Sequence, residues 1–458
     1  MLSSEQEIAF QKFCRGENLL ISGPGGTGKS FLIKTLVEHM CLRKELDFQV
    51  TSTTGCSSVL LSNSIEIKGK NLSVKTINSW SGIKLCKGDN ETIVQNVLKN
   101  PKMLKTWRKI KTLIIDEVSM ISCKMFDILM LLAKKTRKSD EPFGGIQLVL
   151  LGDYLQLPPI PDFSDIETSK FAFESKEWYR VISLENHIEL KTIFRQKDEK
   201  FKKILNEVRI GELSLESKEI LKSYVGRKYE SDEHNGIIPI QILPTRRQVL
   251  EVNSSEYGKV VGKEFKFISR IDLNHTLLEN GQPISEEVKR DFKNLTQQEK
   301  NFELINLKNS IPVDEEISLK VGVPVMILVN LDLENGISNG TQGIVVSMRN
   351  NFPVVKLMNG SEKVILPYTW QNPDYPNIVI TQLPLTLSFA SSVHKQQGST
   401  IDIARMTLGF SIFEDSQIYV ALSRLTSLDG LYLTSFHPQK ISVNKKAKAF
   451  YDSFNSIS

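Results

Sequence analysis

The chain has 458 residues, 40% of them apolar and 24% charged, which is too long for one ordinary core and too apolar for a disordered tail, so two or more packed domains are expected. No basic-then-apolar opening and no long uncharged apolar span occurs, which argues against a signal peptide or membrane helix and predicts a soluble, intracellular protein. The five cysteines (Cys14, Cys41, Cys56, Cys86, Cys123) lack C-x-x-C spacing and speak against a zinc site, while a formal charge of +5 is compatible with a polyanionic partner without demanding one.

The first stretch that carries chemistry is NLLISGPGGTGKSFLIKTLVEHM, Asn18 to Met40. Its apolar run Leu19 to Ile21 predicts a strand, and Phe31, Leu32, Thr35, Leu36 and Met40 recur at helical spacing behind it. Between them stands Gly23-x-x-x-x-Gly28-Lys29-Ser30, the pattern whose backbone N–H groups converge on phosphate oxygens at a helix N-terminus. Gly23, Gly25, Gly26, Thr27 and Gly28 would form the cradle. Lys29 would reach the outer phosphates of ATP, and the Ser30 hydroxyl would complete a magnesium shell.

A phosphate loop needs a partner carboxylate, and LIIDEVSMI, Leu113 to Ile121, supplies an apolar strand ending in Asp116 and Glu117. Asp116 is suited to hold Mg2+ through its shell, and Glu117 to orient and deprotonate the attacking water. A kinase of small molecules has no need of a water-activating Glu, so the tandem acid points to ATP hydrolysis. Next, FGGIQLVLLGD, Phe143 to Asp153, is another apolar strand, expected beside the two that carry Lys29 and Asp116. The loop after it would open at the same carboxyl edge of a parallel sheet, placing Gln156 where it can hydrogen-bond the γ-phosphate or the attacking water. The stiff Leu157-Pro158-Pro159 segment could carry that report outward. Further on, Gly258 to Asn309 is strongly charged and partly helical, and Lys320 to Tyr368 is punctuated by Asn335-Gly336, Asn339-Gly340 and Asn359-Gly360, which predict hairpin turns in a small antiparallel barrel.

Taken together, LSSEQ (2–6), GPGGTGKS (23–30), TSTTGCSS (51–58), TINSWSGI (76–83), IIDEVSMI (114–121), FGGIQLVLLGDYLQLPP (143–159), IFRQ (193–196), LPTRRQVLEVN (243–253), VPVMILVNLD (323–332), SVHKQQGSTID (392–402) and YVALSR (419–424) stand in an order that resembles the petite-integration-frequency (Pif-type) DNA helicase family, in the 5′-to-3′ class of superfamily one. The resemblance covers nearly the whole chain. It implies that Gln6 reads the adenine and that Gly398 belongs to the nucleotide-binding set. Arg195 and Arg424 would stabilise charge on the transferred phosphoryl group. Thr54, Gly55, Ser79, Trp80, Thr245, Asn253, His394 and Lys395 fall in strand-contacting motifs, whose hydroxyls, amides and one aromatic can grip single-stranded DNA without reading sequence. Trp80 reads equally well as a core tryptophan, and Thr54 as a helix N-cap. Two positions depart from the family pattern: Asn78 stands where it usually shows His, and Gln396 where it usually shows Ser.

The implied fold class is α/β: two RecA-like P-loop NTPase domains with a small wedge insertion and an inserted Src-homology-three-like β-barrel. Residues 1–185 would form the first lobe, with the wedge at about 62–75. Residues 186–254 and 387–458 would form the second, around an accessory insertion at 255–386. The implied function is an ATP- and magnesium-dependent helicase, a monomer in solution, moving 5′ to 3′ on single-stranded and forked DNA in replication, repair, recombination or telomere maintenance. The other reading is a DNA-stimulated ATPase switch that clamps nucleic acid without processive unwinding.

Overall fold

Strands covered on both faces need apolar side chains at every position, and the runs named above supply them. In the computed structural model, which describes the chain apart from residues 1, 68–69, 85, 163, 231–233, 279–280, 333–334, 394, 397–398, 410–414 and 456–458, six strands form one sheet. These are β1 (Leu19–Ser22), β2 (Phe48–Ser52), β3 (Lys75–Thr76), β4 (Thr112–Asp116), β5 (Gln147–Gly152) and β6 (His187–Glu189), ordered β3-β2-β4-β5-β1-β6 with every pairing parallel. Alternation sorts their side chains. Leu19, Ile21, Ile114, Val149 and Leu151 pack on one face with Leu32, Ile33 and Leu36 of a helix, while Leu20, Leu113, Ile115, Leu148 and Leu150 fill the core on the other.

Helices α1 (Ser4–Cys14), α2 (Lys29–Leu42), α3 (Gly55–Ser64) and α4 (Ile77–Ser81) belong to this first lobe. Within the 62–75 insertion, Glu66–Ile67 pairs with Lys70–Asn71 as a short antiparallel hairpin. Because β4, β5 and β1 are neighbours, the acid pair, the Gln156 loop and the phosphate loop leave one sheet edge, as the sequence predicts.

The second parallel sheet follows α5 (Glu199–Arg209). It contains β7 (Ile240–Leu243), leading into α6 (Arg246–Lys259), and three strands from beyond an insertion: β8 (Ala390–Ser392), β9 (Ala404–Leu408) and β10 (Leu431–Phe436), ordered β8-β7-β9-β10. Helix α8 (Gln417–Leu422) packs on this sheet, and α9 (Lys445–Asn455) ends the described chain. The insertion carries α7 (Gln297–Ser310) and a five-stranded antiparallel sheet: Glu362–Val364, Phe352–Leu357, Gln342–Arg349, Pro324–Ile327 and Leu385–Leu387, in that order. Gly360 sits at φ +80° in the Asn359-Gly360 turn joining two of these strands, a conformation glycine adopts without strain.

Two divisions differ from the sequence-based map: His187–Glu189, assigned to the second lobe, form the edge strand β6 of the first sheet, and Ile188 and Leu190 join its core because they pair with and pack on β1. Residues 445–455, assigned to the second lobe, pack instead on the first, where Ala447, Phe450 and Tyr451 join the core beside Trp178 and Tyr154. The apolar stripe of α9 needs an uncovered apolar face, and Phe173 offers one, stacking on Phe450 with ring centroids 4.0 Å apart. Among the described residues no helix is long and apolar enough to cross a membrane.

Candidate nucleotide site and nucleic-acid interface

Three glycines of the phosphate loop leave no room for a Cβ. A Cβ on Gly23 would lie 2.6 Å from the Leu190 carbonyl oxygen, one on Gly26 2.6 Å from Arg195 Cβ, and one on Gly28 2.8 Å from Gln6 Nε2. Thr27 is pinned by its hydroxyl to the Pro24 carbonyl at 2.9 Å. At the start of α2 the Lys29 ammonium donates to the Gly23 and Pro24 carbonyls at 2.7 and 3.0 Å. Removal from water pulls Lys29 below the ordinary lysine value, against the opposing pull of Asp153, Glu117 and Asp116. Ser30 follows with its side chain exposed on the first turn.

Asp116 ends β4 and is buried. Burial first, and then the charge of Glu117, push its carboxyl up to about 7. Glu117 adopts a left-handed conformation, φ +57°, and its carbonyl accepts from the Thr53 hydroxyl at 3.2 Å. Asp116 and Ser30 are hard oxygen donors, and the glycine-rich turn leads into the N-terminus of α2, where backbone N–H groups suit phosphate, so these residues fit ATP with magnesium.

Gln156 is buried, its Nε2 3.4 Å from Asp153 Oδ2. Gln6 is buried too: it completes the capping box of α1 with Ser3 and donates to the Thr27 carbonyl at 3.1 Å, so its amide rests on the phosphate loop.

Two cations reach this same place, Arg424 from the second lobe and Arg195 from the segment joining β6 to α5. Arg424 Nη2 and Arg195 Nη1 stand 3.3 and 3.6 Å from the Cβ position of Gly25, and Arg195 donates to the Ser423 carbonyl at 3.0 Å. Burial, reinforced by Arg424, lowers Arg195 to about 9. Arg424 is also held below its ordinary value by burial, against Glu117.

One of the predicted nucleic-acid contacts, Trp80, is corrected. Trp80 is 4% exposed, its ring centroid 4.7 Å from that of Trp107, so its face is committed to the core and cannot stack on a base. Asn253 bonds the backbone of β8 through its amide, donating to the Ala390 carbonyl at 3.1 Å and accepting from its N–H at 2.8 Å. Thr54 and Thr245 are matching N-caps of α3 and α6. Gly55 abuts the Ser310 backbone at the end of α7, Ser79 is exposed on α4, and Lys395 is exposed after β8. His394 and Gly398 lie outside the described residues. Of the two departures, Asn78 bonds the Lys84 carbonyl, while Gln396 is buried between Ser391 and Ser399.

Sequence reasoning missed Tyr419, Phe194, Asp153, Arg209 and Tyr451. The Tyr419 hydroxyl accepts from Gly25 N–H at 3.0 Å. Phe194 is exposed, yet its N–H is tied to the Gly26 carbonyl at 2.8 Å. Arg209 carried a readable signal, since it falls four residues after Leu205, on the apolar stripe of α5, where a cation is out of place.

Comparison with known proteins finds relatives along nearly the whole chain. A family model described as PIF1-like helicase matches residues 1–219, and one for the DNA helicase Pif1 2B domain matches residues 303–348. The chain is 31% identical over 519 residues to the ATP-dependent DNA helicase RRM3 of Saccharomyces cerevisiae, covering all of this chain and 68% of that protein. It is 30% identical over 455 residues to the ATP-dependent DNA helicase PIF1 of Xenopus laevis, where it covers 98% of this chain but spans only 64% of the relative's length. The crystal structure of Bacteroides sp Pif1 in complex with ADP-AlF4 superposes with a TM-score of 0.74 at 25% identity, covering 100% of this chain and 98% of that one.

Proposed function

The chain belongs to the PIF1-like helicase family, and on that premise we propose that it is an ATP- and magnesium-dependent DNA helicase that moves 5′ to 3′ along single-stranded DNA and opens forked duplex as a monomer. The observation that carries the reading is the approach of Arg424, beside Arg195, to Gly25, which puts a cation of the second lobe over the phosphate loop of the first. Two lobes closed by a shared triphosphate, and released when it is cleaved, make a motor.

In this reading Lys29 and the glycine cradle hold the outer phosphates. Asp116 and Ser30 hold a magnesium ion, which when bound offsets phosphate charge. Glu117 takes the proton of the attacking water, Gln156 orients that water, and Arg195 with Arg424 neutralise the charge that develops. Gln6 and the exposed ring of Phe194, both against the loop, would hold the base. Residues 1–190 with 445–455 and the unit built from 199–254 and 387–444 are the motor lobes, with 255–386 as accessory domain and 62–75 as the strand-separating wedge. Single-stranded DNA would lie on Thr54, Gly55, Ser79, Thr245, Asn253, His394 and Lys395. The whole protein's work in replication, repair, recombination or telomere maintenance is part of the same proposal.

Strand displacement on forked substrates with a 5′ or a 3′ tail tests it, with Lys29→Ala as control. Unwinding from the 5′ tail alone is expected. DNA-stimulated hydrolysis without displacement would make the chain a clamp, and hydrolysis indifferent to DNA would remove nucleic acid from the mechanism.

A further inference from the structure

Three strand ends of the first sheet stand in register, with Ser22 of β1 opposite both Gly152 of β5 and Glu189 of β6. Two side chains from distant parts of the chain brace them. Arg209, at the end of α5, sets Nε and Nη2 each 3.0 Å from the carboxylate of Asp153 and Nη1 2.8 Å from Glu189. Tyr451 of α9 hydrogen-bonds Ser22, donates to Asp153 at 2.9 Å, and accepts from the Tyr154 N–H at 3.2 Å, with its ring 4.9 Å from the Arg209 guanidinium.

Asp153, Arg209 and Tyr451 are all buried. A buried ion pair adds little net stability over an apolar replacement, so a geometric role is the better explanation for this one. Although burial alone would raise it, the Arg209 charge keeps the Asp153 carboxyl below the usual range, so the anchor stays ionised.

What the brace fixes lies three residues on. Asp153 accepts from Gln156 twice, through its carbonyl from the N–H at 2.9 Å and through its carboxylate from Nε2 at 3.4 Å. The next residue, Leu157, is buried in the core of the second lobe. One short loop is therefore gripped by the first helix of the second lobe, by that lobe's core and by the terminal helix. With one N–H of Nε2 turned to Asp153, the amide oxygen of Gln156 is held facing away from that carboxylate, where it can accept a hydrogen bond from an attacking water.

We propose that Arg209 and Tyr451 are positioning residues of the nucleotide site, holding Asp153 so that Gln156 presents its amide oxygen to the attacking water in one fixed orientation. The inference rests on the ATPase reading above. It assigns no contact with nucleotide to either residue.

The test is steady-state ATP hydrolysis with single-stranded DNA by the full chain, corrected for folded fraction from the melting curve. Tyr451→Phe keeps the ring and drops the hydroxyl, and Arg209→Lys keeps the charge and drops the fork. Each should lower kcat about tenfold while the KM for ATP stays within about twofold. Neither should cost anything further in a Gln156→Ala background, because both act through that side chain. An equal fold-loss in both backgrounds, a change in KM alone, or a wild-type kcat in the folded fraction of both single variants overturns the proposal. Absence of hydrolysis by the wild-type chain would instead overturn the ATPase reading beneath it.

Discussion

The N–H of Gly25 donates to the hydroxyl of Tyr419 across a separation of 394 residues. The phosphate loop of the first lobe is thus already bonded to the second lobe through backbone, and the neighbouring guanidinium of Arg424 arrives with it, since Tyr419 and Arg424 flank one turn at the end of α8. The second lobe cannot part from the first without withdrawing both groups. That coupling is the physical basis for expecting hydrolysis and lobe motion to be one event.

Arg424→Ala should lower the rate of ATP cleavage by about a thousandfold or more, the range found when a cation over a transferring phosphoryl group is removed. Binding of a nonhydrolysable analogue should survive, because Lys29 and the loop remain. Arg424→Lys should not restore the rate, since the planar fork that bonds Val420 and Ser423 is lost. Single-turnover cleavage measured beside analogue binding checks this, and equal losses in both would show that the guanidinium holds the ground state instead.

Asp116 predicts a pH dependence. Its carboxyl is pushed up to about 7 by burial and Glu117, against about 3.9 in an unfolded chain. A raised carboxyl binds its proton more tightly when folded, so its contribution to stability is complete below about pH 4 and is lost as pH rises through about 7. Without divalent ion, the melting temperature of the wild type should fall between about pH 5 and 8 more steeply than that of Asp116→Asn. Magnesium added at about pH 8 should recover the wild type only, since a bound cation favours the ionised form. Parallel pH profiles for the two proteins would refute the assignment.

Trp80 yields a separation of stability from binding. Trp80→Ala should destabilise the protein by about 3–5 kcal/mol, the usual cost of emptying a buried aromatic site. Trp80→Phe should bind single-stranded DNA within about twofold of wild type, because the ring packs on Trp107 and faces no base. Fluorescence anisotropy with labelled oligonucleotide decides between this and the stacking role, which requires affinity to fall with either substitution.

These outcomes trace what was legible in the sequence. The glycine loop, the acid pair and the parallel sheet beneath them were readable because each rests on local spacing: apolar strands buried on both faces, then residues that only a phosphate site needs together. Trp80 was ambiguous because α4 has five residues, too few for periodicity to say which face is inward. Asn253 reads as a free amide until Ala390, 137 residues later, bonds it once through each polar atom. Tyr451 reads as one more apolar position in a terminal helix, and its hydroxyl matters only because α9 returns to the first lobe. Residue type and local pattern reveal chemistry carried by one segment, whereas groups recruited from distant segments depend on tertiary return.

Thr54 and Thr245 hold one posture in two lobes. Each follows a strand, β2 or β7, each has nearly the same backbone (φ −123°, ψ 152° and φ −120°, ψ 147°), and each accepts from the N–H three residues on. Such capped N-termini present oriented N–H groups to a phosphate without net charge, which fits a grip that ignores sequence. Thr54→Ala and Thr245→Ala should each cost about 1 kcal/mol of helix stability and weaken binding to single-stranded DNA, and serine at either place should restore both. Because no counterion is released by a hydroxyl, the slope of log affinity against log salt should stay as in the wild type. Lys395→Ala, by contrast, should flatten that slope by about one unit. If the threonine variants lost thermal stability while oligonucleotide titrations across a salt series superposed on the wild type, the caps would be structural only and the strand would have to run elsewhere.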